Sequence, residues 1–294
     1  MKRFSVLLAI IATAAVALPV SAQIFKLSRE DMIKYTSKNP FERFADGRPK
    51  VPDALLEKMK GLTCEEIFGV LQGKRFINQY EGNWQLLHPG MKLIGRAMTA
   101  QFMPTRPDVN DVIEADAKAA GGRRGPNQRV IDLLEKGDVL VVDMFGKTGD
   151  QSTYVGDNLA TAIFALSGNG FVINGGIRDL EGISPIPMAA YFKGVHPSAI
   201  GNVMLTGVNV PVRIGDAVVM PGDVVFGDKE GLYFVPPQFV EAIIKQAEET
   251  HIHDEWTKMK LMTGKYKSSD LYGKPDDPAL IKEYEEFKKQ RLGK

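Results

Sequence analysis

One arginine and two aspartates in the middle of the chain have side chains that could hold a metal ion and a small anion. Asp157 follows Gly156 at the start of a segment with helical spacing, and Arg178 and Asp179 follow an apolar run and a glycine pair. A guanidinium is a planar donor suited to anionic oxygens, and carboxylates are the hard ligands that Mg²⁺ or Mn²⁺ prefers. Because Mg²⁺ keeps several waters, one or two carboxylates are enough.

The segment that begins at Gly156 adds backbone donors to this set. The first turn of a helix has unpaired N–H groups at the positive end of the helix dipole. Such a turn binds carboxylate or phosphate groups, and glycine allows a close approach of the backbone. We therefore expect a substrate-binding cradle formed by Gly156, Asp157, Asn158 and Leu159.

Chain reach decides whether the two motifs can meet. A helix from Asp157 to about Ser167 advances roughly 15 Å, and a strand over 170–175 returns about 17 to 20 Å. These lengths nearly cancel, so Arg178 and Asp179 should arrive beside the helix start. The spacing alone also allows a simpler interpretation, with Asp157 as a helix cap and Arg178 with Asp179 as a solvated turn.

The pattern of Asp157, twenty intervening residues and then Arg178-Asp179 is flanked by VGDNLA and NGGIRD. Together with GRAMTAQFMP (95–104), KGDVLVVDM (136–144) and VVMPGDVVFGDKEGLYFVP (218–236), it resembles the family called regulator of ribonuclease E activity A. That family also contains the class II 4-hydroxy-4-methyl-2-oxoglutarate aldolases. The resemblance implies an α/β fold, a swivelling β/β/α-type sandwich, assembled as a homotrimer or hexamer with sites at subunit interfaces.

The resemblance also implies roles for the site residues. Asp179 falls on the metal-binding aspartate, Arg178 on the substrate arginine, and Asp157 on a residue that holds metal-bound water. Asn174 departs from the aspartate of many members, which leaves one negative charge fewer near the site. The implied activity is a divalent-metal-dependent lyase with Mg²⁺ or Mn²⁺. It would cleave a 4-hydroxy-2-oxo acid by a retro-aldol reaction or decarboxylate oxaloacetate, through a pyruvate enolate in both cases.

The C-terminal part of the chain is charged and helical in pattern. Aldolase members with such an extension are thought to take an acidic residue from the neighbouring subunit, and the segment EETHIHDEW offers Asp254 and Glu255. A solvated charged helix is the alternative interpretation.

The N-terminal segment and the charge composition limit the classes of function that this protein can have. Lys2 and Arg3 precede an apolar run that ends near a small-residue cleavage site, so we expect a signal peptide at 1–22 and a periplasmic or secreted protein. An uncleaved membrane anchor is the alternative; no later stretch is long enough to span a bilayer. Removing Lys2 and Arg3 from the 37 basic residues leaves 35, against 36 acidic ones, which does not predict nucleic-acid binding.

Four regions follow from the changes in pattern along the chain: the signal peptide at 1–22, an N-terminal arm at 23–50, an aldolase-like α/β domain at 51–237, and a helical C-terminal extension at 238–294. Two functions from other classes remain open. One is a non-catalytic protein-binding regulator, which would need a cytoplasmic partner. The other is a periplasmic protein that binds a small anion without turnover, which the departure at Asn174 keeps open.

Overall fold

The computed structural model describes residues 25–122, 125–273 and 275–293, so the predicted signal peptide at 1–22 lies outside the described residues. Its helices are α1 (Arg29–Tyr35), α2 (Asp53–Met59), α3 (Cys64–Gly73), α4 (Pro107–Ala119), α5 (Pro126–Ile131), α6 (Asp157–Ser167), α7 (Leu180–Ile183), α8 (Val240–Leu261), α9 (Ser268–Leu271) and α10 (Pro278–Arg291), with a 3₁₀ turn at Pro237–Phe239. Its strands are β1 (Tyr80–Glu81), β2 (Gln85–Leu86), β3 (Leu93–Pro104), β4 (Asp138–Lys147), β5 (Phe171–Ile177), β6 (Ala190–Val195), β7 (Val203–Val208), β8 (Val212–Ile214), β9 (Ala217–Val219), β10 (Val224–Gly227) and β11 (Leu232–Val235).

A mixed sheet forms the centre of the molecule. Its strands follow the order β1-β11-β10-β3-β4-β5-β6-β2, and β7 pairs with the second half of β3. The four central strands β3, β4, β5 and β6 run parallel, whereas the outer pairs are antiparallel. The carboxyl ends of these parallel strands therefore lie along one edge of the sheet.

Side chains of each strand alternate between two buried faces. On β4, Leu140 and Val142 pack with α5 and α6, whereas Val139 and Val141 pack against the β8–β9 hairpin. Helices α2, α3 and α8 cover the outer strands on the same side as α5 and α6. Hairpin, sheet and helices thus form three layers, and the predicted α/β sandwich is confirmed.

The helix and strand that determine the site agree with the sequence pattern. Helix α6 begins at Asp157 and ends at Ser167, where Gly168 adopts a left-handed conformation (φ 67°) and donates to Phe164 O at 2.8 Å. Strand β5 then returns along the helix and extends to Ile177, two residues further than the predicted end at Gly175.

Both chain extensions pack on the central region. In the N-terminal arm, Arg48 is buried and forms a bidentate ion pair with buried Asp138 at the start of β4, with N–O distances of 2.8 and 3.2 Å. In the C-terminal extension, the first half of α8 packs on α2 and α3, and Trp256 anchors α9 and α10. The predicted boundaries at 50 and 237 stay predictions.

Candidate functional site

The site residues lie at the carboxyl edge of the parallel strands. Arg178 and Asp179 follow directly after β5, whose last residue, Ile177, is level with Val195 of β6. In open α/β sheets, ligands bind outside the carboxyl ends of the strands. The position agrees with the expectation that these two residues stand at a strand end.

The segment that precedes α6 is held against the end of β5. Tyr154 N donates to Gly176 O at 2.9 Å, and Arg178 N donates to Val155 O at 3.0 Å. These two bonds bring Gly156, the residue before α6, directly beside Arg178. The start of α6 is thereby held beside the end of β5.

Gly156 is where the two motifs touch. A methyl group on its Cα would overlap Asp179 Oδ2 and would lie 2.9 Å from Arg178 Nε. Both charged side chains therefore occupy the space beside the glycine, and no larger residue fits without moving them. The structure brings Arg178 and Asp179 to the helix start, as the chain-reach argument predicts.

Arg178 and Asp179 contact each other but remain accessible. Arg178 Nε lies 3.3 Å from Asp179 Oδ2, and the two side chains are 38% and 43% exposed. An exposed ion pair of this kind contributes little to stability, so both groups are available to a ligand. Asp179 has a left-handed backbone (φ 58°), a conformation that aspartate tolerates better than most residues, and directly precedes α7.

Asp157 lies at the same place from the helix side. Its Cβ and Oδ2 would lie 2.8 and 3.1 Å from a methyl group on Gly182 of α7, so the starts of α6 and α7 are packed together. Asp157 and Asp179, each beside one of these helix starts, therefore supply two partly exposed carboxylates to one small region. This is the donor set that a hydrated Mg²⁺ or Mn²⁺ ion fits.

The backbone cradle is narrower than the sequence predicts. Asn158 N donates to Asp157 Oδ1 at 2.8 Å, so that amide is already occupied. In the described structure, no hydrogen bond occupies the N–H groups of Gly156, Asp157 and Leu159. The side chain of Leu159 packs against the core, and only its amide is left for a ligand.

Asn174 has a partner that the sequence does not reveal. Its amide donates to Asp143 Oδ1 at 2.9 Å, across the register pair of β4 and β5. Burial raises the pKa of Asp143, and the hydrogen bonds from Phe145 N and Asn174 offset part of that rise. A neutral amide at 174 thus avoids a second carboxylate beside the half-buried Asp143.

The sequence analysis gives no role to His196, which is a neighbour of the site. The backbone N–H of His196 donates to the backbone oxygen of Ile177, one residue before Arg178, at 3.1 Å. Its Nδ1 accepts from Ser198 N at 3.2 Å and lies 2.9 Å from Ser198 Oγ, which holds the ring in place. The position of His196 directly after β6 is the signal that could have revealed it.

Asp254 and Glu255 lie on the second half of α8, the part that packs with α9 and α10. Asp254 Oδ2 lies 3.6 Å from Lys258 Nζ, and Glu255 pairs with Arg291. None of their described contacts within one chain involves Arg178 or Asp179. A contribution from the neighbouring subunit stays a prediction.

Within residues 25–122, 125–273 and 275–293, no group of three or more His, Cys, Asp or Glu side chains is arranged to hold a metal ion. A cation at this site would thus rely on one or two carboxylates and on water. In the same residues, no helix has the length and apolar character needed to cross a membrane.

A family model described as RraA-like, Aldolase/RraA, matches residues 54–233. The chain belongs to the RraA-like family.

Relatives in this family carry aldolase names. A putative 4-hydroxy-4-methyl-2-oxoglutarate aldolase of Halalkalibacterium halodurans is 26% identical over 149 residues, which are 50% of this chain and 70% of that protein. A 4-hydroxy-4-methyl-2-oxoglutarate aldolase of Thermus thermophilus is 27% identical over 109 residues, which are 37% of this chain and 65% of that protein. The match covers less than two thirds of several other relatives.

Solved structures support the RraA-like fold. Streptomyces coelicolor RraAS2, described as an unusual member of the RNase ES inhibitor RraA protein family, has a TM-score of 0.60 and 23% identity. The match covers 75% of this chain and 100% of that one. An uncharacterized protein from Pseudomonas syringae pv. tomato has a TM-score of 0.62 and 21% identity, over 77% of this chain and 94% of that one. At these identities, the likeness concerns the fold alone.

Proposed function

We propose that this RraA-like protein is a divalent-metal-dependent lyase that acts on a small 2-oxo acid. The reaction is retro-aldol cleavage of a 4-hydroxy-2-oxo acid, decarboxylation of oxaloacetate, or both. The observation that carries the proposal is the contact at Gly156, where Arg178 and Asp179 share one small region with Asp157. The aldolase names of relatives at 26% and 27% identity support the same class of reaction.

Each residue of the site has a role in this proposal. Asp179 would hold Mg²⁺ or Mn²⁺, and Asp157 would contribute a second carboxylate to hold water beside it. Arg178 binds an anionic oxygen of the substrate through its guanidinium fork. The free backbone N–H groups of Asp157 and Leu159 donate to the substrate carboxylate at the positive end of α6.

The two reactions share one intermediate. In the retro-aldol direction the 4-hydroxyl loses its proton and the C3–C4 bond breaks; in oxaloacetate the same bond breaks and releases CO₂. In both reactions the bonding electrons pass to the 2-oxo group as a pyruvate enolate, and protonation at C3 gives pyruvate. The bound cation supplies Lewis-acid charge, and Arg178 adds a fixed positive charge where the negative charge develops.

The hydroxyl proton requires a base within hydrogen-bond reach. We place Asp254 or Glu255 of a neighbouring subunit in this role, in a homotrimer or hexamer.

Export to the periplasm or the medium, with cleavage after Ala22, is part of the same proposal. N-terminal sequencing of the exported protein would then begin at Gln23.

Pyruvate release from a panel of 4-hydroxy-2-oxo acids and oxaloacetate tests the proposal, with Mg²⁺, with Mn²⁺ and with EDTA. We expect turnover of at least one substrate that EDTA abolishes. Asp179→Asn and Arg178→Lys should each lower kcat/KM by about 100-fold or more, because each removes charge or geometry needed in the transition state. Glu181→Gln, at an exposed position two residues beyond Asp179, is the matched control and should retain activity.

The same groups could bind a small anion without turnover, which is the second candidate. Calorimetric binding of pyruvate or oxalate that depends on Arg178, with no pyruvate released from any substrate, would favour it.

A third candidate is a protein-binding regulator, supported by the likeness in fold to RraAS2. A variant that keeps Arg178 and Asp179 but no longer binds the partner protein would point to the regulator function.

A further inference from the structure

A cavity lies beside the N-terminal arm, and its lining residues do not include Asp157, Arg178 or Asp179. It has a volume of about 350 Å³ and opens between the segment after α1, the β8–β9 hairpin and the turn that follows β11. Most of its wall is apolar, formed by Phe76, Val218, Met220, Pro236 and Pro237.

The wall of this cavity includes a carboxylate without a positive partner. Asp223 is 3% exposed, and its Oδ2 accepts a hydrogen bond from Met220 N at 2.8 Å. Among the described residues, no cationic side chain pairs with it and no hydrogen bond reaches its Oδ1. The β-turn that contains Asp223 uses one carboxylate oxygen and leaves the other for a ligand.

The other fully buried carboxylate shows the usual solution. Asp138 is paired with the Arg48 guanidinium by two hydrogen bonds. Buried charges are normally compensated in this way, because the loss of hydration is otherwise costly. Asp223 lacks such a partner, and burial raises its pKa to about 7.

Gln79 is the other buried polar residue that lines the cavity. The Gln79 amide already donates to Phe234 O at 2.6 Å and to Val218 O at 3.3 Å. Tyr35 and Lys38 are the other ionisable residues that line the cavity, and both are exposed. The buried polar function that can receive a ligand is therefore the Asp223 carboxyl group.

We propose that this cavity binds a small amphipathic amine, with its ammonium group on Asp223 and its apolar part against Phe76, Pro236 and Pro237. The argument is charge complementarity: a primary ammonium supplies the donors and the positive charge that the carboxylate lacks. The apolar wall supplies burial for a short aromatic or aliphatic body. This site is separate from the proposed lyase site and does not depend on that function.

Two probes with the same body separate charge from apolar contact. The full chain is titrated with 2-phenylethylamine and with 2-phenylethanol by calorimetry, at pH 6 and pH 8. We expect the amine to bind more tightly than the alcohol, and more tightly at pH 8 than at pH 6, because Asp223 loses its proton over that range. Asp223→Asn should weaken amine binding about tenfold or more and remove its pH dependence, with little effect on the alcohol.

Two further variants keep the test independent of folding and of the lyase site. Ser37→Trp, at the exposed cavity rim, should block both probes without altering the core. Asp179→Asn should leave amine binding intact. Equal affinity of amine and alcohol for the unsubstituted chain would overturn the proposal. Amine binding that survives in Asp223→Asn but disappears in Asp179→Asn would overturn it too.

Discussion

Gly156 controls the site because it lacks a side chain. Its backbone is extended (φ −116°), a conformation open to alanine, so its special property is the space beside its Cα. That space holds Asp179 Oδ2 and the Arg178 side chain. A small change here would move two proposed functional groups without disturbing the core.

Gly156→Ala should therefore separate activity from stability. We expect kcat/KM to fall about 100-fold, because a displacement of catalytic groups by an ångström can have that effect. The free energy of unfolding should change by less than about 1 kcal/mol, since Arg178 and Asp179 can swing into solvent. Gly149→Ala is the control, because a methyl group there meets no neighbouring atom. Equal losses in both variants, or none in Gly156→Ala, would count against the site.

Asp223 makes stability depend on pH in a way that can be measured. Its pKa of about 7 in the fold exceeds the ordinary value of 3.8, so the folded chain holds this proton more tightly than the unfolded chain does. Protonated Asp223 stabilises the fold fully below about pH 4. This stabilisation decreases as pH rises towards 7 and is lost above that pH.

Asp223→Asn should remove this dependence, because asparagine can still accept the hydrogen bond from Met220 N. Between pH 5 and pH 8, the unsubstituted chain should lose about 3 kcal/mol in the free energy of unfolding through Asp223, and the variant should not show this loss. Urea denaturation at the two pH values measures the difference. If the free energy of unfolding changes equally with pH in the two proteins, then Asp223 has an ordinary pKa and the prediction is wrong.

At the scale of elements, the register of β4 and β5 explains residue 174. Parallel pairing places Asn174 opposite Asp143 at the carboxyl edge, where burial already raises the pKa of Asp143. An aspartate at 174 would bring two carboxylates together, and like charges on neighbouring strands are destabilising.

Asn174→Asp should accordingly destabilise the fold as pH rises. Where both carboxylates are ionised, we expect a loss of about 1 to 3 kcal/mol in thermal or urea unfolding, because two negative charges then face each other. Asn158→Asp is the control, since the same change at the exposed start of α6 is favourable to the helix dipole. Unchanged stability together with tighter Mg²⁺ binding would instead support a role for residue 174 in the cation site.

At the scale of the whole molecule, the N-terminal arm is tied to the central sheet by one buried ion pair. Arg48 and Asp138 are 2% and 0% exposed, and they lie 90 residues apart in sequence. Asp138 Oδ2 also accepts a hydrogen bond from Glu135 N at 3.0 Å, so its carboxylate is needed at the start of β4.

Arg48→Met should cost about 3 to 5 kcal/mol in the free energy of unfolding, because it leaves an unpaired buried carboxylate. The double variant Arg48→Met/Asp138→Asn should recover part of that loss, since asparagine keeps an acceptor but no charge. Chemical denaturation of the single and double variants measures the coupling. Additive losses would mean that the two side chains act independently.

The sequence by itself determined much of this protein. The spacing of apolar residues predicted the start and approximate end of α6 and predicted β5 to within two residues, because these depend on local periodicity and turn residues. The α/β fold class followed from the family resemblance. The pattern from Asp157 to Arg178-Asp179 predicted both the family and the two motifs that meet at the site.

Only the tertiary structure decided which side chains contact one another. The close approach at Gly156, the pairing of Asn174 with Asp143, the Arg48–Asp138 ion pair and the uncompensated Asp223 each join elements that are separate in sequence. Such contacts depend on how packed layers bring distant segments together, and no local pattern encodes that distance. Burial of a carboxylate likewise follows from everything that surrounds it, so the sequence does not reveal that Asp223 is buried.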